Sequence, residues 1–320
     1  MVNIQELLEQ TYPNKLTTTE INLNSWKEKE ITGVNELTIS DYPNLTTVKN
    51  DSCKNIQKLV LNNLPSLVKL SWSKSELTIL DLSHCPKLEV VDCSNNLLTE
   101  IILPLDTSKL KKLYLSNNNF PKQDLSMFKN LLNLEELGIG NYRETSLRQI
   151  SAGDYGESKI KQNIYNRFYG SLESLKDLTN LNLLEINNTD IDFGLEYLRL
   201  DDSGKVIVYC LAQERPDCGV KAIWEKLNPY VGDVQAWKRD NPNLIVVLLQ
   251  ERLRDIKKEL GIEREEFKKF QDKSVEYQQQ RESRVKELEQ ENAYLQQRLM
   301  DLQQNQEQLQ THIETNLGQK

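Results

Sequence analysis

The stretch from Leu77 to Phe120 places apolar residues at a spacing that few folds accept. It reads Leu77-x-x-Leu80-x-Leu82-x-x-Cys85, then Leu88-x-x-Val91-x-Cys93-x-x-Asn96-x-Leu98, then Leu110-x-x-Leu113-x-Leu115-x-x-Asn118-x-Phe120. Within each line the inner apolar residues alternate with polar ones. That alternation predicts a short strand with one face buried, followed by a turn whose Asn or Cys satisfies backbone groups. A unit this short cannot bury its apolar face alone, so copies must stack.

The three lines fit L-x-x-L-x-L-x-x-N/C-x-L, the first lacking its final apolar residue. On these residues the chain resembles leucine-rich-repeat proteins over roughly its first two-thirds. The resemblance implies an α/β-type solenoid with short parallel strands on a concave face. It implies little about activity, because one scaffold carries unrelated binding tasks. The middle apolar residues fall at Leu37, Val48, Leu59, Leu70, Leu80, Val91 and Leu113, about 11 residues apart before a double step. One full turn is therefore two half-repeats. Leu70, Val91, Leu113, Leu137 and Leu184 are assigned to concave strands, and Leu37, Leu59 and Leu80 to the return side.

Four segments follow. Residues 1–33 read as an N-terminal cap, with Ile4, Leu7 and Leu8 on one face of a helix that stops at Tyr12-Pro13, and Trp26 beneath it. Residues 34–200 are the solenoid. An insertion at about 141–168 reads as a longer convex-side helix, with Ile160, Ile164, Tyr165 and Phe168 at helical spacing facing the core; a binding loop is the alternative. Residues 201–241 form a C-terminal cap and connector: a closing strand at Val206–Tyr209, a helix from Pro216 to Asn228, and Trp237 as a further anchor.

Residues 242–320 read as α-helical, with a heptad pattern through the stretch free of Gly and Pro from Glu263 to Leu317. Val285, Asn292, Leu299 and Ile313 fall at a, and Leu288, Leu295, Leu302 and Leu309 at d, the core of a coiled coil resembling a leucine zipper. A polar Asn at one a position favours a parallel pair, so a parallel homodimer is expected. Zippers of transcription factors have a basic helix upstream. Here Glu263, Glu265, Glu266, Asp272, Glu276 and Glu282 are interspersed among the lysines, which argues against direct nucleic-acid reading.

Charge and chemistry narrow the function. A net charge of −8 opposes non-specific attachment to nucleic acid or anionic lipid, and no run is apolar enough to span a bilayer. The five cysteines are odd in number and unclustered, and the start lacks a signal-peptide pattern, so a cytoplasmic protein is expected, the nucleus not excluded. The sequons at Asn44 and Asn187 read as repeat asparagines. Only His84 and His312 are available for acid–base work. His84, Cys85 and Cys93 are explained by their repeat slots rather than as metal ligands, and Gly138-Ile-Gly140 lacks the context of a dinucleotide loop. No enzyme, cofactor or metal is expected.

Binding is the expected function. The concave row comprises Lys69, Ser71, Asp92, Ser94, Lys112, Tyr114, Ser116, Glu136 and Glu185, with Tyr114 as the aromatic anchor for a protein partner. The expectation is a scaffold whose solenoid grips that partner and whose tail dimerises. The alternatives are a structural assembly component that uses the coiled coil, or a recognition or substrate-receptor subunit.

Overall fold

A computed structural model describes residues 3–24, 26, 36–51, 53, 56–142, 159–198 and 205–242, together with six tail positions. The chain divides into two compact units, Met1–Leu249 and Gln250–Lys320.

The first unit is a parallel-strand solenoid. Eight three- or four-residue strands pair side by side: β1 (Glu20–Asn22), β3 (Thr47–Asn50), β5 (Lys69–Trp72), β7 (Val90–Asp92), β9 (Lys112–Tyr114), β10 (Glu136–Gly138), β12 (Leu183–Glu185) and β14 (Ile207–Tyr209). Every pairing in this sheet is parallel and in register, so Leu70, Val91, Leu113, Leu137, Leu184 and Val208 form one inward column. All six are at most 1% exposed. The opposite side carries β2 (Glu36–Ser40) paired with β4 (Lys58–Asn62), β6 (Ile79–Asp81) with β8 (Glu100–Ile102), and β11 (Tyr169–Ser171) with β13 (Asp190–Phe193). The remaining return turns between Ser126 and Tyr197 are short 3-10 segments.

The turn after each main strand shows why the stack is continuous. Asn96 donates from Nδ2 to the carbonyls of Trp72 and Cys93, and its Oδ1 accepts from the Leu77 amide. Asn118 repeats this one turn on, donating to Cys93 and Leu115 and accepting from Leu98. Asn166 repeats it again with Leu115, Ile139 and Phe120. Cys53, Ser75 and Thr189 fill the same slot with shorter groups; the Cys53 thiol reaches the Leu23 carbonyl at 3.9 Å and the Ser75 hydroxyl that of Cys53 at 2.9 Å. At Cys53, Ser75, Asn96, Asn118 and Asn166 the slot thus answers a backbone carbonyl of the preceding turn, while Thr189 answers Ile186 within its own. The residue before the slot is left-handed at Lys74, Asn95, Asn117 and Asn188, a conformation asparagine tolerates better than most side chains.

Cys85 departs from the sequence reading. It matches the N/C position of its line, yet that line belongs to the return half that contains β6, where the slot is apolar: Tyr42, Leu64 and Cys85 are all buried there. Burial pushes its thiol up to about 12, so it packs as a neutral group.

Both ends of the sheets are closed. At the start, α1 (Ile4–Thr11) is capped by Asn3 and buries Ile4 and Leu8, and Trp26 joins the same core. Its Gln5 accepts from the Thr38 amide of β2, while the Tyr12 hydroxyl accepts from the amide and donates to the carbonyl of Asn22 in β1. At the far end, α2 (Val220–Leu227) and α3 (Val234–Asp240) bury Ile223, Leu227 and Trp237. The α2 helix is shorter than the span from Pro216, because 216–219 is turn. The β14 edge is met by an antiparallel bridge from Ile207 to Asp233. These devices leave neither end an open template for strand addition.

Beyond Pro242 the described residues are Lys286, Leu288, Gln290, Asn292, Ala293 and Gln296, all helical, with Leu288 half-buried and Asn292 exposed. The other expected coiled-coil positions, Val285, Leu295, Leu299, Leu302, Leu309 and Ile313, lie outside the described residues, as does the rest of the tail.

Candidate functional site: the outer face of the eight-stranded sheet

Alternation along each strand sends one residue in and its neighbours out, so the parallel register lines the outward residues into rows. The first row runs Glu20, Thr47, Lys69, Val90, Lys112, Glu136, Leu183, Ile207, and the second Asn22, Lys49, Ser71, Asp92, Tyr114, Gly138, Glu185, Tyr209. Seven of the nine residues expected on the row therefore share one face: Lys69 is exposed, and Ser71, Asp92, Lys112, Tyr114, Glu136 and Glu185 are half-buried. Ser94 and Ser116 do not join them. They are 6% and 1% exposed, because β7 and β9 end two residues earlier and a left-handed asparagine follows each serine at once.

The rows change character along the solenoid. Toward the N-terminus they are polar, with Lys49 paired to Glu20 at 2.7 Å. In the middle, Glu136 accepts from the Lys112 ammonium at 2.5 Å and from the Tyr114 hydroxyl. The tyrosine ring lies over Gly138, where an added Cβ would sit 2.9 Å from its Cδ1. Glycine is needed there so that the ring can lie flat and reach the neighbouring strand's carboxylate. Gly140 is tighter still, its missing Cβ falling 2.5 Å from the Asn187 amide nitrogen. Close strand approach, rather than phosphate binding, accounts for this Gly-Ile-Gly.

Toward the C-terminus the face turns apolar. Leu183 and Ile207 are half-buried on it, and Tyr209 and Leu211 are 41% and 40% exposed. The row expected from sequence ends at Glu185 and misses these residues. A signal for them exists: Val206-Ile-Val-Tyr209 keeps the strand alternation, and extending the register from Leu184 to Val208 places Ile207 and Tyr209 outward.

At the insertion, residues 159–165 form turns and irregular backbone, so the helical facing of Ile160, Ile164 and Tyr165 does not occur; Phe168 alone of that set is fully buried, against Phe120 and Phe128. Tyr165 is stacked between Arg167 and Arg215, whose guanidinium carbons stand 4.4 and 4.6 Å from the ring centre. Arg215 also grips both oxygens of Asp190, which ties the C-terminal cap to the last ladder turn.

Groups suited to covalent or metal chemistry are not assembled on this face. None of Cys53, Cys85, Cys93, Cys210 and Cys218 is in a disulfide, and all five are buried. Burial raises the Cys93 and Cys218 thiols and pushes that of Cys210 up to about 12. No group of three or more metal-ligating side chains occurs among the described residues. Nor does any helix among them have the length and apolarity to cross a membrane. The Asn187 sequon is closed by packing, with Asn187 6% and Thr189 0% exposed, whereas Asn44 is exposed and its amide donates to the Leu16 carbonyl.

No model of a known protein family matches the chain. Two characterised proteins are similar to parts of it. One is a probable glycoprotein hormone G-protein coupled receptor from Anthopleura elegantissima, 29% identical over 165 residues, which is 49% of this chain and 16% of the receptor. The other is the oligodendrocyte-myelin glycoprotein of Homo sapiens, 38% identical over 99 residues, which is 29% of this chain and 22% of that protein. The match thus spans less than a quarter of either relative. Among solved structures, a leucine-rich-repeat protein of Leptospira interrogans aligns over 63% of this chain and 56% of its own, with a TM-score of 0.35 and 16% identity. The character of the chain rests on its own geometry: a parallel-strand solenoid of leucine-rich turns with a side-chain ladder through its middle turns.

Proposed function

We propose that the chain is a non-enzymatic interaction protein whose eight-stranded sheet face binds a protein partner. The observation that carries this is the ring of Tyr114, set against Gly138 and hydrogen-bonded to Glu136, and followed along the face by Leu183, Ile207, Tyr209 and Leu211. Rigid aromatic and aliphatic side chains beside a paired polar group are what protein interfaces use as anchors. The partner's centre of contact accordingly lies on β9 to β14 rather than on the polar strands β1 to β5. Affinity capture with the double variant Tyr114→Ala, Tyr209→Ala tests this; loss of a partner that the wild type retains is expected, and unchanged recovery would remove the face from the reading.

The tail extends the proposal. Its heptad leucines need cover, and pairing two chains in parallel would let two modest contacts act with avidity. Light scattering should give a dimer for the full chain and a monomer for one ending at Asn241. A monomeric full chain would favour a single solenoid serving as a recognition or substrate-receptor subunit, and a dimer without face binding would favour a structural component. Neither reading involves nucleic acid, membrane, cofactor or catalysis. Five buried free thiols support a cytoplasmic location. The receptor and glycoprotein names of the two relatives support the opposite compartment, and fractionation of cells expressing the tagged chain distinguishes them.

A further inference from the structure

The insertion interrupts a repeat without disturbing it. Asn141 and Asn166 are 25 residues apart, yet the Asn166 amide donates to Asn141 Oδ1 at 2.7 Å and Asn141 Nδ2 donates to the Asn166 carbonyl at 3.0 Å. On the strand side of this junction the chain behaves as in any other turn. The Asn141 amide donates to the Asn187 carbonyl, just as those of Asn95, Asn117 and Asn188 donate to Ser116, Gly140 and Leu211. On the return side Asn166 fills the ladder slot, the Arg167 amide donates to Phe120 as Asn119 does to Leu98, and Phe168 takes the buried position held one turn earlier by Phe120. Asn141-Asn166-Arg167-Phe168 is therefore the spatial counterpart of Asn117-Asn118-Asn119-Phe120.

We infer that residues 142–165 are a cassette: the solenoid closes beneath them, and they can be removed or exchanged without opening the core. Joining Asn141 directly to Asn166 asks only that Asn141 adopt the left-handed conformation its equivalents Asn95, Asn117 and Asn188 already have. Among the cassette's described residues, Tyr142 donates its amide to Asn117 Oδ1, Lys159 reaches back to the Asn96 carbonyl, and Tyr165 stands beside two arginines. None of these contacts fills a ladder slot.

The test is deletion of 142–165 in the full chain, followed by thermal unfolding and affinity capture. The deleted chain should fold and melt within about 4 °C of the wild type, whereas Asn166→Ala should lower the melting temperature by at least about 5 °C in both chains, since it leaves the buried Ile139 carbonyl and Phe120 amide without their partner. A deleted chain that aggregates, or that melts lower than Asn166→Ala, overturns the inference. So does an Asn166→Ala variant that loses stability in the long chain and none in the short one. Partner recovery in the same preparations reports separately on the sheet face: a folded deletion that keeps its partner leaves recognition with the sheet, and a folded deletion that loses it moves recognition to the cassette.

Discussion

The two long sides of the solenoid are built from the same half-repeat and end up different. On one side eight strands pair without a break; on the other, strand pairs alternate with 3-10 turns. The inward leucines are equally buried on both, so apolar burial does not make the difference. What differs is the slot five residues past each strand's inward residue. On the sheet side it holds Cys53, Ser75, Asn96, Asn118, Asn166 or Thr189, each reaching a backbone group, and Asn96 and Asn118 reach the turn before. On the return side it holds Tyr42, Leu64 or Cys85; the Tyr42 hydroxyl reaches the Tyr12 carbonyl of the N-terminal cap, while Leu64 and Cys85 fill space. Hydrogen-bonded slots impose register; apolar slots allow each turn its own path. Constant spacing is what a binding face built of side-chain rows requires, and that is where the rows are found.

The sharpest way to break this contrast is Asn118→Ala. It orphans the buried amide of Leu98 and takes one of two donors from each of the carbonyls of Cys93 and Leu115, which keep Asn96 and Asn166, and should cost about 3 kcal/mol in a denaturant titration. The return-side counterpart Cys85→Ala removes only packing and should cost about 1 kcal/mol. Equal losses would mean the ladder is not what separates the two sides. Next in size is Gly140→Ala, whose new Cβ meets the Asn187 backbone at 2.5 Å and must part β10 from β12. A loss of about 2 kcal/mol is expected, with faster amide exchange at Ile139 and Asn141 as the local sign.

How much of this could be read from the chain follows from the same contrast. The Leu spacing announces strands, stacking and the assignment of halves, because burial repeats with the pleat. It cannot separate an amide-filled slot from an apolar one when a cysteine occupies it: Cys85 matches the motif and lies on the return side, while Cys53 holds a ladder slot behind the less regular Val48-x-Asn50. Nor does it reveal that Asn166 completes the repeat begun at Leu134, since nothing local marks a residue as the continuation of one 25 positions away. Ser94 and Ser116 continue the alternation on paper and fall past the strand ends, where alternation ceases to govern. Tyr209 and Leu211 escape for the opposite reason: the leucine pattern stops before the sheet does.

A smaller effect bears on the sheet face alone. Glu136→Gln keeps an oxygen for the Tyr114 hydroxyl and gives up the charge that holds Lys112, a pair only partly shielded from water. Stability should change by less than about 1 kcal/mol, while partner affinity at low salt shifts more than at high salt if the proposed face is the interface. A partner affinity that ignores both the substitution and the salt would leave the ion pair outside the contact.

The smallest expected effect belongs to the return side and concerns acid. Asp81, Asp106 and Asp124 recur at its turns, each accepting from the amide of the serine two residues on, at 2.8, 2.8 and 2.9 Å. These bonds hold the three carboxyls below the ordinary aspartate value of 3.8: for Asp81 and Asp124 the serine hydroxyl is the larger cause, and for Asp106 the serine amide. A carboxyl depressed in the folded chain stabilises it above the unfolded value and loses that contribution as pH falls through the folded one. The triple variant Asp81→Asn, Asp106→Asn, Asp124→Asn retains an acceptor that does not titrate, so its melting temperature should fall less steeply below about pH 4 than that of the wild type, with little difference near pH 7. The ladder amides of Asn96, Asn118 and Asn166 carry no charge, so the ladder itself does not respond to acid. If the triple variant and the wild type lose stability in parallel, acid sensitivity lies elsewhere, and the two sides differ in hydrogen bonding but not in their response to protons.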